Sequence, residues 1–344
     1  MWTYSVPELD EPSQSAWALG SPSYGFPVET GNVHYAFVSN QFLAKADLQL
    51  RPSHRVSVRL NTATEHNENI EPFGGLVARS RAAALTSTDV MAAVADTRDL
   101  SPRSVNDLRF QVAARNQIVE SLDPNCSGAC SRADQGGPTL EVSGIASVGR
   151  QRFTPSLRDN VRYQLVDTAS YERGAHLFKT GLDASFIQGR QQTLPLHFGG
   201  RYIFFQSVSY PLIGGQPPVP VSGIQAVALG LPTVYVQGYG YSGRAYNTAD
   251  VSLFVQDEWR IRPTLTLNLG VRYQKQFWNR ASYQPSGYPG TYDFPSDRGN
   301  LAPRVAAAWD PFGDRKTSIH GAYGLFFDNT VTSVFGITKY LNAG

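Results

Sequence analysis

The chain has 344 residues, 17% of them charged and 12% aromatic, with a formal net charge of +2. The charged share is low against the usual value of about 25%, and Lys and Arg form no block or stripe, which argues against nucleic acid as a partner. No apolar run approaches the roughly 18 residues of a membrane-spanning helix, and the first residues, MWTYSVPELDEPSQS, lack the basic start and apolar stretch of a secretory signal.

In chain order, the informative signal is alternation with a period of two. Ala44, Ala46, Leu48 and Leu50 alternate with Lys45, Asp47 and Gln49; a turn at Arg51–His54 follows, and then Val56, Val58 and Leu60 alternate with Ser57, Arg59 and Asn61. A second hairpin turns at Ser101-Pro102-Arg103 and sets Leu108, Phe110 and Val112 against Asp107, Arg109 and Gln111. In the long stretch before the next hairpin lie Cys126 and Cys130, in the polar run NCSGACSR. Their spacing suits a small disulfide ring, worth roughly 2 kcal/mol in the chain-entropy account, and hence an oxidising compartment. A zinc site is disfavoured, because no His or second Cys pair stands at ligand spacing.

A third hairpin turns near Glu172-Arg173-Gly174, with Phe178, Thr180, Leu182, Ala184 and Phe186 opposing Lys179, Gly181, Asp183 and Ser185. A fourth carries Val251, Leu253 and Val255, turns at Arg262-Pro263-Thr264, and resumes with Leu265, Leu267, Leu269, Val271 and Tyr273. Asp257 shares the parity of that apolar face, an exception that its place near the turn or a bulge would explain. A fifth turns at Asp310–Asp314, between Val305, Ala307 and Trp309 and then Ile319, Tyr323 and Leu325.

About ten antiparallel strands in five hairpins result, with short turns at one end and long connections (61–89, 115–160, 189–249, 278–300) at the other. That asymmetry predicts an all-β transmembrane barrel with periplasmic turns and extracellular loops, placed in the bacterial outer membrane among its lipids. A basic side chain in mid-bilayer costs about 2–4 kcal/mol on the lipid face, so the face with Lys45, Arg59, Arg109, Lys179 and Arg272 should line the lumen. Arg59, Arg109, Asp183, Glu258 and Arg272 are the candidate lumen charges. Trp259, Tyr273, Phe277, Trp278 and Trp309 read as interface aromatics.

Catalysis finds little support. Gly238-x-Gly240-x-x-Gly243 leads into an alternating strand, where a dinucleotide site needs a helix. Asp257 and Glu258 are strand neighbours facing opposite sides, and the six His have no metal-ligand spacing. The chain is therefore expected to be no enzyme and to need no cofactor. The Tyr-rich run 233–246, with Tyr235, Tyr239 and Tyr241, is the candidate ligand-contact loop. The rival expectation is a secreted soluble all-β protein that binds or cleaves carbohydrate, in which the apolar faces would pack on each other.

The strings SPRSVNDLRFQ (101–111), SYERGAHLFKTGLD (170–183), SLFVQDEWRIRPTLTLNLGVRYQ (252–274) and LAPRVAAAWDPFGDRKTSIHGAYGLFFD (301–328) resemble the barrels of TonB-dependent receptors, in particular the Oar-like branch. The resemblance implies a barrel of about 22 strands around an N-terminal plug, importing a scarce extracellular ligand with energy delivered by the TonB complex. On that reading residues 1–344 are an incomplete barrel, lacking the plug and the C-terminal strands.

Overall fold

The computed structural model describes residues 2–5, 9–12, 32–70, 77–122, 138–151, 153–193, 196–210, 219–239, 243–278, 299–314 and 316–328. In chain order the elements are β1 (Trp2–Ser5), β2 (Leu9–Pro12), β3 (Asn32–Arg51), β4 (His54–Ile70), β5 (Ala83–Ser101), β6 (Ser104–Ser121), β7 (Thr139–Val142), β8 (Ala146–Gly149), β9 (Ser156–Arg173) and β10 (His176–Thr193). They continue with β11 (Arg201–Phe204), β12 (Ser207–Tyr210), β13 (Val219–Ser222), the helix α1 (Gly223–Ala228), β14 (Val234–Val236), β15 (Gly243–Arg262), β16 (Leu265–Trp278), β17 (Leu301–Trp309) and β18 (Ile319–Gly324).

The five expected hairpins are β3/β4, β5/β6, β9/β10, β15/β16 and β17/β18, joined in one antiparallel sheet of order β1-β3-β4-β5-β6-β9-β10-β15-β16-β17-β18, with β2 also on β3. Four turns leave only two residues outside the strands: Pro52-Ser53, Pro102-Arg103, Gly174-Ala175 and Pro263-Thr264. Proline fixes φ and donates no hydrogen bond, so it ends a ladder where it stands. Gly174 meets the same need with φ of 63°, a value that costs glycine nothing. The register slips just before the turn at Gln49/Arg51, Asp99/Ser101 and Arg260/Arg262, the place where an extra residue lets a two-residue turn close without splaying its strands.

The register keeps one face apolar across the sheet. Val58 stands opposite Val94, Val94 opposite Phe110, and Phe110 opposite Leu165. The row continues through Ala184 and Val251 on the next strands. This face stays open: Leu253 is 54% and Val255 56% exposed. The soluble alternative required it to pack on a second apolar layer, and the structure does not bear that out. A lipid-facing wall explains large exposed apolar side chains in unbroken rows.

Strand length departs from expectation. Segments of about ten residues suffice to cross a membrane, yet β3 and β15 each run for 20. At about 3.3 Å per residue and a tilt near 40°, such a strand stands about 50 Å tall, twice the roughly 25 Å apolar band. The outer parts are polar on both faces. On β4 the row Val58, Leu60 gives way to Thr62, Thr64, His66 and Glu68, and His66 lies 3.1 Å from Thr86 of β5. Much of 61–89 and 115–160, read from sequence as loop, is therefore strand projecting above the bilayer. Polar residues on both faces hid the alternation that marks a strand.

The long connections are also more ordered than their composition suggested. β7 and β8 form a hairpin, β11 joins β7 in parallel, and β14 adds to β11, giving a second sheet of order β14-β11-β7-β8. Ala78 donates its N–H to Ser147 O at 2.9 Å and covers the β8 edge. Val142, Ala146, Val148, Phe204, Ala226 and Ala78 form a buried cluster, with Leu140, Tyr202 and Val221 packed around it. α1 begins at a capping box: Ser222 accepts from the Gln225 N–H, and Gln225 reaches back to the Ser222 N–H. Three connections thus fold into one small unit with its own core.

One close approach within the barrel wall yields a test. Gly181 faces Phe254 across β10 and β15. A Cβ at 181 would sit 2.5 Å from Phe254 Cε1 and 2.6 Å from Asp167 O. The ring covers the glycine, a pairing that pins register where a glycine would otherwise weaken a strand. Gly181→Ala should therefore cost about 1–3 kcal/mol, read from urea unfolding of the reconstituted protein. Phe254→Ala in the same chain should relieve the part due to the ring and leave the part due to Asp167 O, giving a non-additive cycle; additive costs would exclude the ring contact.

Candidate functional site

The polar face of the sheet gathers all five candidate lumen charges. The register carries the row from Arg59 to Ala93, from Ala95 to Arg109, from Arg109 to Val166, and on through Asp183 to Ser252. Arg272 and Glu258 have that same parity on β16 and β15. Their contacts differ. Arg109 pairs with Asp107 of its own strand at 2.5 Å, and Glu258 with Arg260 at 3.7 Å. Arg59 donates to Asn61 Oδ1 at 3.0 Å. Only Asp183 and Arg272 meet each other, at 3.7 Å across β15, with Gln164 donating to the same carboxylate at 2.9 Å.

Sequence reading missed a doubly bonded pair on this wall. Arg115 of β6 grips Asp89 of β5 with two bonds of 2.6 and 2.7 Å. Both residues stand within or beside stretches read as loop, so their shared face was not legible. They line a groove of about 970 Å³ together with Gln41, Arg59, Asn61 and Arg162. A second groove of about 530 Å³ has a floor of Gly270, Ala306, Ala322 and Gly324 between Phe254, Arg272 and Arg304. Arg304 lies over the Phe326 ring, 4.5 Å from its centroid. The polar wall thus carries two grooves and is partly neutralised by its ion pairs.

Asp257 keeps the apolar parity, opposite Phe178 and Leu269, and the register slip at Arg260/Arg262 comes after it. A bulge therefore does not explain it; a hydrogen bond does. Its Oδ2 lies 2.8 Å from His176 Nδ1, and His176 is stacked between Phe178 and Trp259. The arrangement recurs two strands at a time: His54 meets Asp96 at 3.0 Å, and Asn106 donates to Asp167 at 2.7 Å. Each acid lies a few residues from its turn, where an acidic group on the lipid side costs least. Of the expected interface aromatics, Trp259, Tyr273, Phe277 and Trp309 have the lipid-face parity, but Trp278, opposite Thr248, takes the polar one.

Tyr235 belongs to β14 and not to a free loop. Its ring packs on Tyr202 directly across the pair, 4.6 Å between centroids, and its hydroxyl donates to Gln237. Partial burial, then the neighbouring Tyr202 and Tyr239, raise its phenol above the usual value, so it remains a neutral donor. Tyr239 is 76% exposed. Tyr241, Cys126 and Cys130 lie outside the described residues. The Gly-rich run ends at Gly243, where β15 begins, so a strand and not a helix follows it.

The loop unit contains a group of charges that no sequence motif marked. Glu141 of β7 accepts from Arg81 at 3.0 Å through Oε1 and from Arg201 of β11 through Oε2. The three side chains are 11–20% exposed. Burial pushes the Glu141 carboxyl up, but hydrogen bonds and charge from Arg201 and then Arg81 hold it below its ordinary 4.5. A carboxyl lowered on folding contributes stability that is full above the unfolded-chain value and disappears as pH falls through the folded one. Protease resistance of the loop unit should thus hold at neutral pH and fall below about pH 4.5. If Glu141→Gln shows the same acid-dependent loss, another group is responsible.

The outer membrane beta barrel domain family matches residues 20–340. The TonB-dependent transporter Oar of Myxococcus xanthus is 27% identical over 216 residues, 61% of this chain and 19% of that protein. Among solved structures, FpvA of P. aeruginosa in a complex with a heterologous pyoverdine superposes with a TM-score of 0.51 at 11% identity, over 84% of this chain and 35% of FpvA. FpvAI in its complex with pyocin S2 gives 0.50 at 12%, over 84% and 36%. The chain spans about a fifth of the curated relative and about a third of these structures. With its alternating faces, two-residue turns and long outer connections, the chain belongs to the outer membrane beta barrel domain family and is a protein of the bacterial outer membrane.

Proposed function

We propose that this chain is barrel wall of a TonB-dependent receptor, which captures an extracellular ligand and imports it without chemical change. The observation that supports this most is the polar wall opposite a lipid-facing apolar one, with its two grooves and partly paired arginines. A plug domain from outside the 344 residues would sit against that wall and connect it to the TonB complex. The loop unit and the Tyr235–Tyr239 surface would meet the ligand first, and a Cys126–Cys130 disulfide would tie the connection between β6 and β7.

Oar of Myxococcus xanthus, which bears the name transporter, supports the reading by similarity. The test is uptake in the native host. Deletion of the gene should abolish accumulation of one among labelled ferric siderophores, cobalamin and oligosaccharides, and a protonophore or loss of TonB should do the same in the parent. Surface binding that needs neither energy nor TonB, and no accumulation of any of these, would make the barrel an adhesive or structural surface protein.

A further inference from the structure

The charge balance of the loop unit is uneven. Two guanidinium groups, Arg81 and Arg201, share the single carboxylate of Glu141, each through one terminal nitrogen. Arg81 is only 9% exposed, yet its Nε–H and that of Arg201 are both buried with no acceptor among the described residues. A buried donor on a charged group is costly without an acceptor, and buried polar groups in native proteins are satisfied by protein, water or an ion. Water alone leaves the excess positive charge in place; an anion removes both penalties.

The fold fixes both arginines in place. Arg81 follows directly on the 3-10 turn residue Ser80, whose hydroxyl accepts from the Gly149 N–H at 3.0 Å. Arg201 opens β11 in the middle of the four-stranded sheet, beside β7 with Glu141. Three separate connections thus bring their charges together, and planar guanidinium forks match the paired oxygens of a carboxylate or phosphate.

We propose that Arg81 and Arg201, held apart by the Glu141 they share, form an anion-binding site in the loop unit that takes a phosphate or carboxylate group. The group is carried either by a free solute or by a phosphorylated lipid of the outer leaflet; the chemistry recognised is the same. This site does not depend on import, and it would bind its anion in a barrel that transports nothing.

The experiment uses the full-length protein, in detergent for the solute titration and reconstituted into vesicles for the lipid comparison, with protease cleavage within the loop unit as the readout. Inorganic phosphate is titrated against chloride at equal ionic strength, and vesicles with and without lipid A are compared in parallel. Saturable protection by phosphate is expected, weakened at least tenfold in Arg81→Gln and in Arg201→Gln. Protection by phosphate alone assigns a free solute, and protection by lipid A vesicles at far lower phosphate content assigns the leaflet. The wild-type titration decides even if a variant fails to fold. No protection by phosphate or lipid A beyond chloride overturns the proposal, and so does protection that persists undiminished in both variants.

Discussion

Val255→Arg should cost about 2–4 kcal/mol of folding free energy in a bilayer, whereas Gln256→Arg, one residue on, should stay within about 0.5 kcal/mol. Val255 is 56% exposed and stands in the middle of the apolar face, opposite Thr180 on one side and Val271 on the other. A guanidinium there has lipid around it and must bend toward the interface or draw water in. Gln256 stands opposite Lys179 and Gly270 on the polar wall, where water and the lumen charges surround a new cation. Both substitutions add the same side chain to the same strand, so strand preference differs only by that of Val against Gln, on a scale that spans about 1 kcal/mol in all. Urea unfolding of the full-length protein from thin bilayers, with the heat-modifiable gel shift as a check on folding, gives both values. Equal costs would mean that the two faces are assigned wrongly.

Glu141→Ala should open the loop unit by about 3–5 kcal/mol, because it leaves two mostly buried guanidinium groups facing one another without a counter-charge. The effect should be local. β7 and β11 lose their shared anchor, while the long strands keep their own ladders and the barrel its gel shift. Hydrogen exchange should therefore rise at Thr139–Val142 and Arg201–Phe204 and remain unchanged at β15 and β16. Arg98→Ala is the comparison. Its pair with Asp96 has similar bond lengths, but the Arg98 side chain is 54% exposed. A solvated pair of that kind contributes little. If the two variants lose the same amount, burial does not strengthen the triad.

The contrast between these two charge pairs bears on what was readable in advance. Arg109, Arg272 and Asp183 were found from the sequence because they stand on strands whose other face is continuously apolar, so that parity alone assigns them a side. Asp89 and Arg115 occupy the same wall, but a few residues higher, where both faces turn polar and parity carries no signal. The Asp257 exception was visible as an exception; its partner was not. His176 lies 81 positions away, and only the pairing of β10 with β15 brings the two together. For α1 the signal was present and passed over: Ser222 followed three residues later by Gln225 is the start of a capped helix.

The sequence by itself determined the class of fold, the five hairpins with their turns, the face that meets lipid and the face that meets water. These follow from a period of two and from proline and glycine at the ends of ladders, both local properties that no distant contact has to supply. Tertiary structure alone decided the height of the wall above the membrane, the pairing of Asp183 with Arg272, and the assembly of three long connections around Val142 and Phe204. It also decided the meeting of Arg81, Glu141 and Arg201. In those places four-residue strands and single charges have no periodicity of their own, and both arginines meet Glu141 across 60 positions of chain.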